Sequence, residues 1–240
     1  MQDHSGSECV HLRDAIPGSA GPGFACSLLG ATTLDECRTC EQFQKHPEVK
    51  PWNWAVAITT APRPGGVQRR YLAETQQALR AAGWNRWIVQ EDNESLGPFA
   101  NFYIAMTRLA MSQPHARAYM YLQDDAPLEI GARAMLQREL WPQNCAVAAL
   151  YSPHYEPVDA GAVWSRADTG WDSPGACCYV FSPWGLRDLL GDPIVLRHRL
   201  RGHIAAIDGC VGAWASRHGG IWRRRPPLAR HIGETRSWTS

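Results

Sequence analysis

Several things are scarce in this 240-residue chain, and each scarcity closes off a class of function. Lysine is nearly absent: Lys45 and Lys50 are the only two, against 22 arginines. Net charge is only +1, so bulk charge recommends neither nucleic acid nor a membrane surface as partner. Low Lys beside abundant Ala, Gly, Pro and Arg reads as codon composition, and the Arg excess is discounted as a functional signal. No apolar run approaches the roughly 20 residues that a membrane helix needs. The opening "MQDHSGSECVHLRDA" has neither a basic n-region nor an apolar h-region, so no secretion signal is expected. The expectation is a soluble, cytoplasmic protein without a membrane partner. Its eight cysteines then read as thiols or metal ligands rather than disulfides.

What the chain does have is enough apolar material for a core: 45% hydrophobic residues, 11 of the residues being Trp. The distribution is uneven. Residues 1–50 hold Cys9, Cys26, Cys37 and Cys40 in a Gly/Pro/Ser-rich setting. "IPGSAGPG" (16–23) is a loop by its turn chemistry. This segment reads as a Cys-rich appendage, with "KHPEVKP" (45–51) as the linker to a main domain, 51–240. "CRTC" gives one C-x2-C half-site, and Cys9, Cys26 and His11 are further candidate ligands. Structural Zn²⁺ takes four such ligands, an Fe–S cluster takes four cysteines, and scattered free thiols are the bland alternative. The proposed role of a metal is a folding staple, since so short a segment buries little core alone. Cys145, Cys177, Cys178 and Cys210 lie in apolar runs and read as core.

After Pro51 the pattern becomes strand, helix, strand, helix, strand. "WAVAITT" (54–60) reads as a buried strand. "VQRRYLAETQQALRAAG" (67–83) is an amphipathic helix with Tyr71, Leu72, Thr75, Leu79 and Ala82 on one face and Gly83 closing it. "RWIVQED" (86–92) is a strand ending in acid. "PFANFYIAMTRLAM" (98–111) is a helix whose stripe is Phe99, Phe102, Tyr103, Met106, Leu109 and Ala110. "AYMYLQDD" (118–125) is a third strand, again ending in acid. "AVAAL" (146–150) and "CCYVF" (177–181) add two more, and "PWGLRDLL" (183–190) starts a helix on Pro. Such alternation predicts an α/β fold, a mostly parallel Rossmann-like sheet flanked by helices, with a site outside the carboxyl ends of its strands. Residues 152–175 show no periodicity and carry Tyr155, Trp164 and Trp171. A loop this long tends to be functional.

Asp124 and Asp125 end the third strand side by side, and their mutual repulsion has to be offset. In one reading an Asp caps a helix beginning near Ile130. In the other the pair faces a divalent cation, whose shell substrate phosphates complete.

"ITTAPRPGG" at the first strand end, "VQEDNESLGPFAN" at the second, "YLQDDA" at the third and "LARHIGETRS" near the C-terminus together resemble the nucleotide-sugar-binding domain of GT-A glycosyltransferases, over roughly residues 52–240. "YLQDDA" resembles the Asp-X-Asp-type motif of that fold, with Gln123 standing where an acid is usual. The resemblance implies a GT-A-like fold and a metal-dependent glycosyltransferase using a nucleotide-sugar, a UDP-sugar foremost, and an unknown acceptor hydroxyl. It implies that Asp125 and His231 hold Mn²⁺ or Mg²⁺. Thr60, Arg63, Asp92 and Asp124 would line the nucleotide, and Asp208 would be the base of an inverting transfer. Plainer readings stand beside these: Asp208 as a helix N-cap, His231 as an ordinary surface or core histidine, and Arg223–Arg225 as a solvated turn. Trp164 and Trp171 could stack on a sugar or pack in the core. Three rivals remain. One is a nucleotidyltransferase or phosphohydrolase using the same carboxylates. Another is a transferase-like protein that binds without turnover. The last is a zinc-dependent nucleic-acid-binding module built on 1–50 and the arginine turn, which near-neutral charge disfavours.

Overall fold

In a computed structural model of the chain, the described residues are 12–16, 23–26, 53–139, 141–142, 144–152, 163–167, 176–199 and 206–233. The chain divides into two compact units, Met1–Pro51 and Trp52–Ser240. In the first, β1 (Leu12–Ile16) pairs antiparallel with β2 (Gly23–Cys26), Leu12 opposite Cys26 and Ile16 opposite Gly23. The apolar pattern of this segment did not announce that hairpin. Cys9, Cys37 and Cys40 lie outside the described residues, and Cys26 enters only by its place at the end of β2.

The second unit is an α/β layer structure around a seven-stranded sheet. In chain order it comprises β3 (Trp54–Thr60), α1 (Val67–Ala82), β4 (Ile88–Glu91), α2 (Pro98–Ser112), β5 (Ala118–Gln123), α3 (Ala132–Arg138) and β6 (Val147–Ala149). Then follow β7 (Trp164–Ala167), β8 (Cys178–Phe181), α4 (Pro183–Gly191), α5 (Pro193–Arg199), α6 (Ile207–Ala215) and β9 (Ile221–Arg224). The sheet order is β4-β3-β5-β8-β6-β9-β7. The first three strands in that order are mutually parallel, as the βαβαβ pattern requires. β6 and β9 are also parallel, whereas β8 runs against both β5 and β6, and β7 against β9. The fold is thus α/β with a parallel block at one side and a mixed region at the other.

β3 and β5 are continuous apolar runs because both faces of the sheet are covered. Val56 and Ile58 of β3 join Met120 and Leu122 of β5 and Leu79 and Ala82 of α1 on one face. Ala55, Ala57, Tyr119 and Tyr121 join Phe99, Phe102, Met106 and Leu109 of α2 on the other. α1 buries Tyr71, Thr75, Leu79 and Ala82 and ends on Gly83 at φ 107°, whose amide and that of Trp84 return to Arg80 and Leu79 carbonyls. On α2 the buried stripe includes Asn101 and Ala105, whereas Tyr103 and Ala110 are only partly covered.

Three sequence readings change, and for Trp164 the core reading holds. The helix after Asp125 starts at Ala132 with Gly131 as its N-cap and no side-chain cap, so neither aspartate caps it. Asp208 is not an N-cap: Ala206 holds that position, and Asp208 lies inside the first turn of α6. Arg223 and Arg224 belong to strand β9, and Arg224 is clasped by Glu139 at 2.7 and 3.0 Å, not left in a solvated turn. Trp164 sits in β7 with its ring 4.9 Å from that of Trp141, packed against the core; Tyr155 and Trp171 lie outside the described residues. No helix among the described residues is long and apolar enough to cross a membrane.

Candidate active site at the carboxyl edge of the parallel strands

Parallel pairing of β3 with β5 sets Thr59 opposite Gln123, so both strands end at the same edge. The Asp124 amide continues that ladder to Thr59 O at 2.9 Å. Beyond it, the chain delivers side chains from four separate stretches. Thr60 Oγ1 donates to Asp124 Oδ2 at 2.6 Å. The loop after β3 turns Arg63 back over the strand ends, where its Nη2 donates to Asp124 Oδ1 at 2.7 Å and to Asp125 Oδ2 at 3.1 Å. Thr75 on α1 donates to the Asp124 carbonyl at 2.6 Å. Both aspartates are almost wholly buried, at 1% and 3% exposure. The charge that offsets their repulsion is therefore, first of all, the Arg63 guanidinium.

The fourth stretch is the chain end. Leu228 and Ala229 donate to Leu150 O, Glu129 N donates to Leu228 O, and Ile232 N donates to Asp125 O at 3.0 Å. This tether brings His231 Nε2 to 3.3 Å from Asp125 Oδ2, with its ring 6.3 Å from Tyr151. Gly233 passes so close that a Cβ there would collide with Asp125 Oδ2 and lie 3.1 Å from His231 Nε2.

Burial pushes the Asp124 carboxyl above its ordinary value, against the Thr60 hydrogen bond and the Arg63 charge, which pull it down. The hydrogen bond to Asp125 raises His231, outweighing the desolvation that opposes it. Cys177, whose carbonyl accepts the Gln123 amide, has its thiol pushed up to about 12 by burial, with Asp125 and Asp208 adding to it. Asp208 is half-buried and accepts the Gly209 amide at 3.0 Å, and its charge, like that of Asp125, bears on Cys177. Asp92 is buried, and its two oxygens accept the Leu96 and Gly97 amides at 2.8 and 2.9 Å. It holds the loop leading into α2, while its own amide ties to Thr60 O.

Do these residues fit a divalent cation? Asp125 Oδ1 is buried with no hydrogen-bond partner among the described residues. The orphaned Oδ1, with His231 Nε2 held against the other oxygen of the same carboxylate, supplies oxygen and nitrogen donors of the right kind. They fit. A second group of donors, Asp188, Asp192 and His218, has ligand atoms within 4.8 Å of one another. Three of its four carboxylate oxygens are engaged: Asp188 Oδ2 accepts Trp214 Nε1 at 2.8 Å and faces His218 Nε2 at 3.0 Å. Asp192 takes Arg217 and the Ile194 and Val195 amides. Against the upward push of burial, those partners hold the Asp192 carboxyl below its usual value. Held by Trp214, Arg217 and His218, this group ties the end of α4 to α6 and the turn after it.

An open pocket borders the site, lined by Thr59 to Pro64, Pro98, Asn101, Tyr121, Gln123 and Asp124. Sequence reasoning missed Tyr121, Asn101, Thr75 and Gly233. Tyr121 looked like core, and its hydroxyl accepts Thr59 Oγ1 at 3.0 Å from 62 residues away.

No protein-family model matches this chain. No curated protein matches it either. Among solved structures it is similar to a glycosyltransferase involved in the glycosylation of the major capsid of PBCV-1. Identity is 10% and the TM-score 0.36, over 59% of this chain and 69% of that one. It is also similar to mannose-1-phosphate geranyltransferase from Thermus thermophilus, at 11% identity and TM-score 0.44, over 71% of this chain and 73% of that one. Likenesses of this strength say nothing of chemistry, which rests on the side chains just described.

Proposed function

We propose that the protein is a metal-dependent glycosyltransferase that takes a sugar from a nucleotide-sugar donor, a UDP-sugar foremost, to an acceptor hydroxyl. The observation that carries this reading is Asp125 Oδ1, a buried carboxylate oxygen without a partner among the described residues, at a strand edge where Arg63, Thr60, Asp124 and His231 converge. Asp125 and His231 would hold Mn²⁺ or Mg²⁺. The cation would neutralise the charge of a departing diphosphate. Arg63 has a second nitrogen, Nη1, buried and unpartnered among the described residues, which suits a phosphate oxygen. Thr60 and Asp124 form the wall on the nucleotide side, and Asp92 fixes the loop beside it. Asp208, half-buried at the start of α6, is the base assigned to take the acceptor proton in an inverting transfer. In the first unit, Cys9, Cys26, Cys37 and Cys40 are proposed to hold a structural Zn²⁺.

The test is calorimetric titration of the full chain with UDP, with Mn²⁺ and then with EDTA, on the wild type and on Asp125→Asn. Binding that requires both the metal and Asp125 supports the reading. Equal binding with EDTA, or in Asp125→Asn, removes the metal from it, and no binding of any nucleoside diphosphate removes the reading altogether. Consumption of nucleoside triphosphates without an acceptor would favour a nucleotidyltransferase or phosphohydrolase using the same carboxylates.

A further inference from the structure

We propose that Asn101 reads the base of the bound nucleotide and selects one that presents a ring N–H, as uracil and guanine do. Cytosine and adenine, which carry a ring acceptor at the equivalent place, are disfavoured. This deepens the nucleotide-sugar reading and rests on it.

Asn101 lies in the first turn of α2, lines the pocket and is 4% exposed. Its Nδ2 donates to Thr60 O at 3.0 Å. A carbonyl oxygen can only accept, so this bond fixes which way the amide points. Thr60 O also takes the Asp92 amide at 2.9 Å, which uses both of its lone pairs. Asn101 Oδ1 is left as an acceptor, buried and without a partner among the described residues.

Its nearest hydroxyl neighbours are committed elsewhere. Thr59 Oγ1 gives its proton to Tyr121 and Thr60 Oγ1 gives its proton to Asp124. Pro62, Pro64 and Pro98, which share the lining, have no N–H at all. A buried acceptor left without a partner is disfavoured unless a ligand supplies a donor. Flat, donor-free proline walls suit a planar ring and do not compete with Asn101 for its hydrogen bonds.

Thr60 also fixes the direction of the ligand. Its side chain faces Asp124 and the charged end of the site, while its carbonyl faces Asn101. A nucleotide with its phosphates toward Arg63 and Asp125 would carry its base toward Asn101. An N–H there satisfies Oδ1. A ring nitrogen acceptor sets two lone pairs against each other in a buried place.

The full chain is titrated calorimetrically, in Mn²⁺, with UDP, N3-methyl-UDP, GDP, CDP and ADP, on the wild type and on Asn101→Ala, with a thermal melt of each protein. The expected result is that the wild type prefers UDP or GDP to CDP, ADP and N3-methyl-UDP by about tenfold or more. In a folded Asn101→Ala the preference should shrink to about threefold or less. If that variant fails to fold, the wild-type series decides alone, because UDP and CDP are nearly equal in size. Equal binding of UDP, CDP and N3-methyl-UDP, tightest binding of CDP or ADP, or a preference that survives Asn101→Ala overturns the assignment and leaves the nucleotide site standing. Failure of all five to bind overturns the nucleotide reading, and this inference with it.

Discussion

Thr60 and Asp124 are 64 residues apart in the chain, yet Thr60 Oγ1 donates to Asp124 Oδ2 at 2.6 Å, at the edge where β3 and β5 end together. That bond joins the two strand ends around which the rest of the site is arranged, and the predictions below follow from what is packed against it.

Arg63 donates to both buried aspartates, so removing it strips Asp124 of that charge and leaves Asp125 facing His231. Arg63→Met is expected to cost roughly 3 kcal/mol in urea unfolding at pH 8. The loss should be smaller at pH 4.5, where Asp124, already raised by burial, takes up a proton more readily. Adding Asp124→Asn should recover part of the loss. A variant as stable as wild type at both pH values would mean that water, not Arg63, screens the pair.

The His231 value is raised in the folded protein by its hydrogen bond to Asp125. A raised group contributes stability that is full below its unfolded value of 6.5 and fades as pH rises through the folded value. Asp124, also raised, acts in the same direction from lower pH. With EDTA present, the stability difference between wild type and His231→Gln should be larger at pH 5.5 than at pH 8.5. Denaturant melts at the two pH values measure it, and a difference that grows toward alkaline pH would show the sign to be wrong.

Two glycines should respond differently to a methyl group. At Gly185 a Cβ would press into the Ala146 carbonyl, rigid backbone that cannot yield. Gly185→Ala should lower stability by about 1–3 kcal/mol. At Gly233 the collision is with the Asp125 carboxylate and His231. Gly233→Ala should melt close to wild type and lose metal-dependent nucleotide binding. Melting curves and calorimetry on both variants separate the two effects, and a Gly233→Ala that binds normally would mean that the chain end moves aside freely.

Cys177 is partly exposed, yet burial, Asp125 and Asp208 hold its thiol at about 12. It should therefore react slowly with iodoacetamide at pH 8, since the thiolate is the nucleophile. Asp208→Asn should speed alkylation at Cys177, as should Asp125→Asn, by modest factors because burial is the larger cause. Peptide mapping of the alkylated residue gives the rate. Unchanged rates in both variants would place Asp208 too far from the site to act as a base.

Much of the fold is legible locally. The continuous apolar run 54–60 and the 3.6-residue periodicity of 67–83 and 98–111 are local patterns, and each element formed about where its pattern lies. Short strands without such a pattern, β7 and β9, were not legible. β9 carries Arg223 and Arg224, and only the pairing with Glu139 explains an arginine-rich strand. The acidic strand ends were visible as composition, but which charge faces them was not.

The sequence by itself determined that strands and helices alternate, that both faces of the early strands are covered, and that carboxylates stand at the strand ends. These follow from spacing between near neighbours in the chain. The tertiary structure alone decided that Arg63 lies across both aspartates, that His231 returns from the chain end to Asp125, and that Asn101 is held by Thr60 with its oxygen unpaired among the described residues. Hydrogen bonds between side chains dozens of residues apart depend on strand order and register. Those are set by packing of the whole sheet, and no local pattern encodes them.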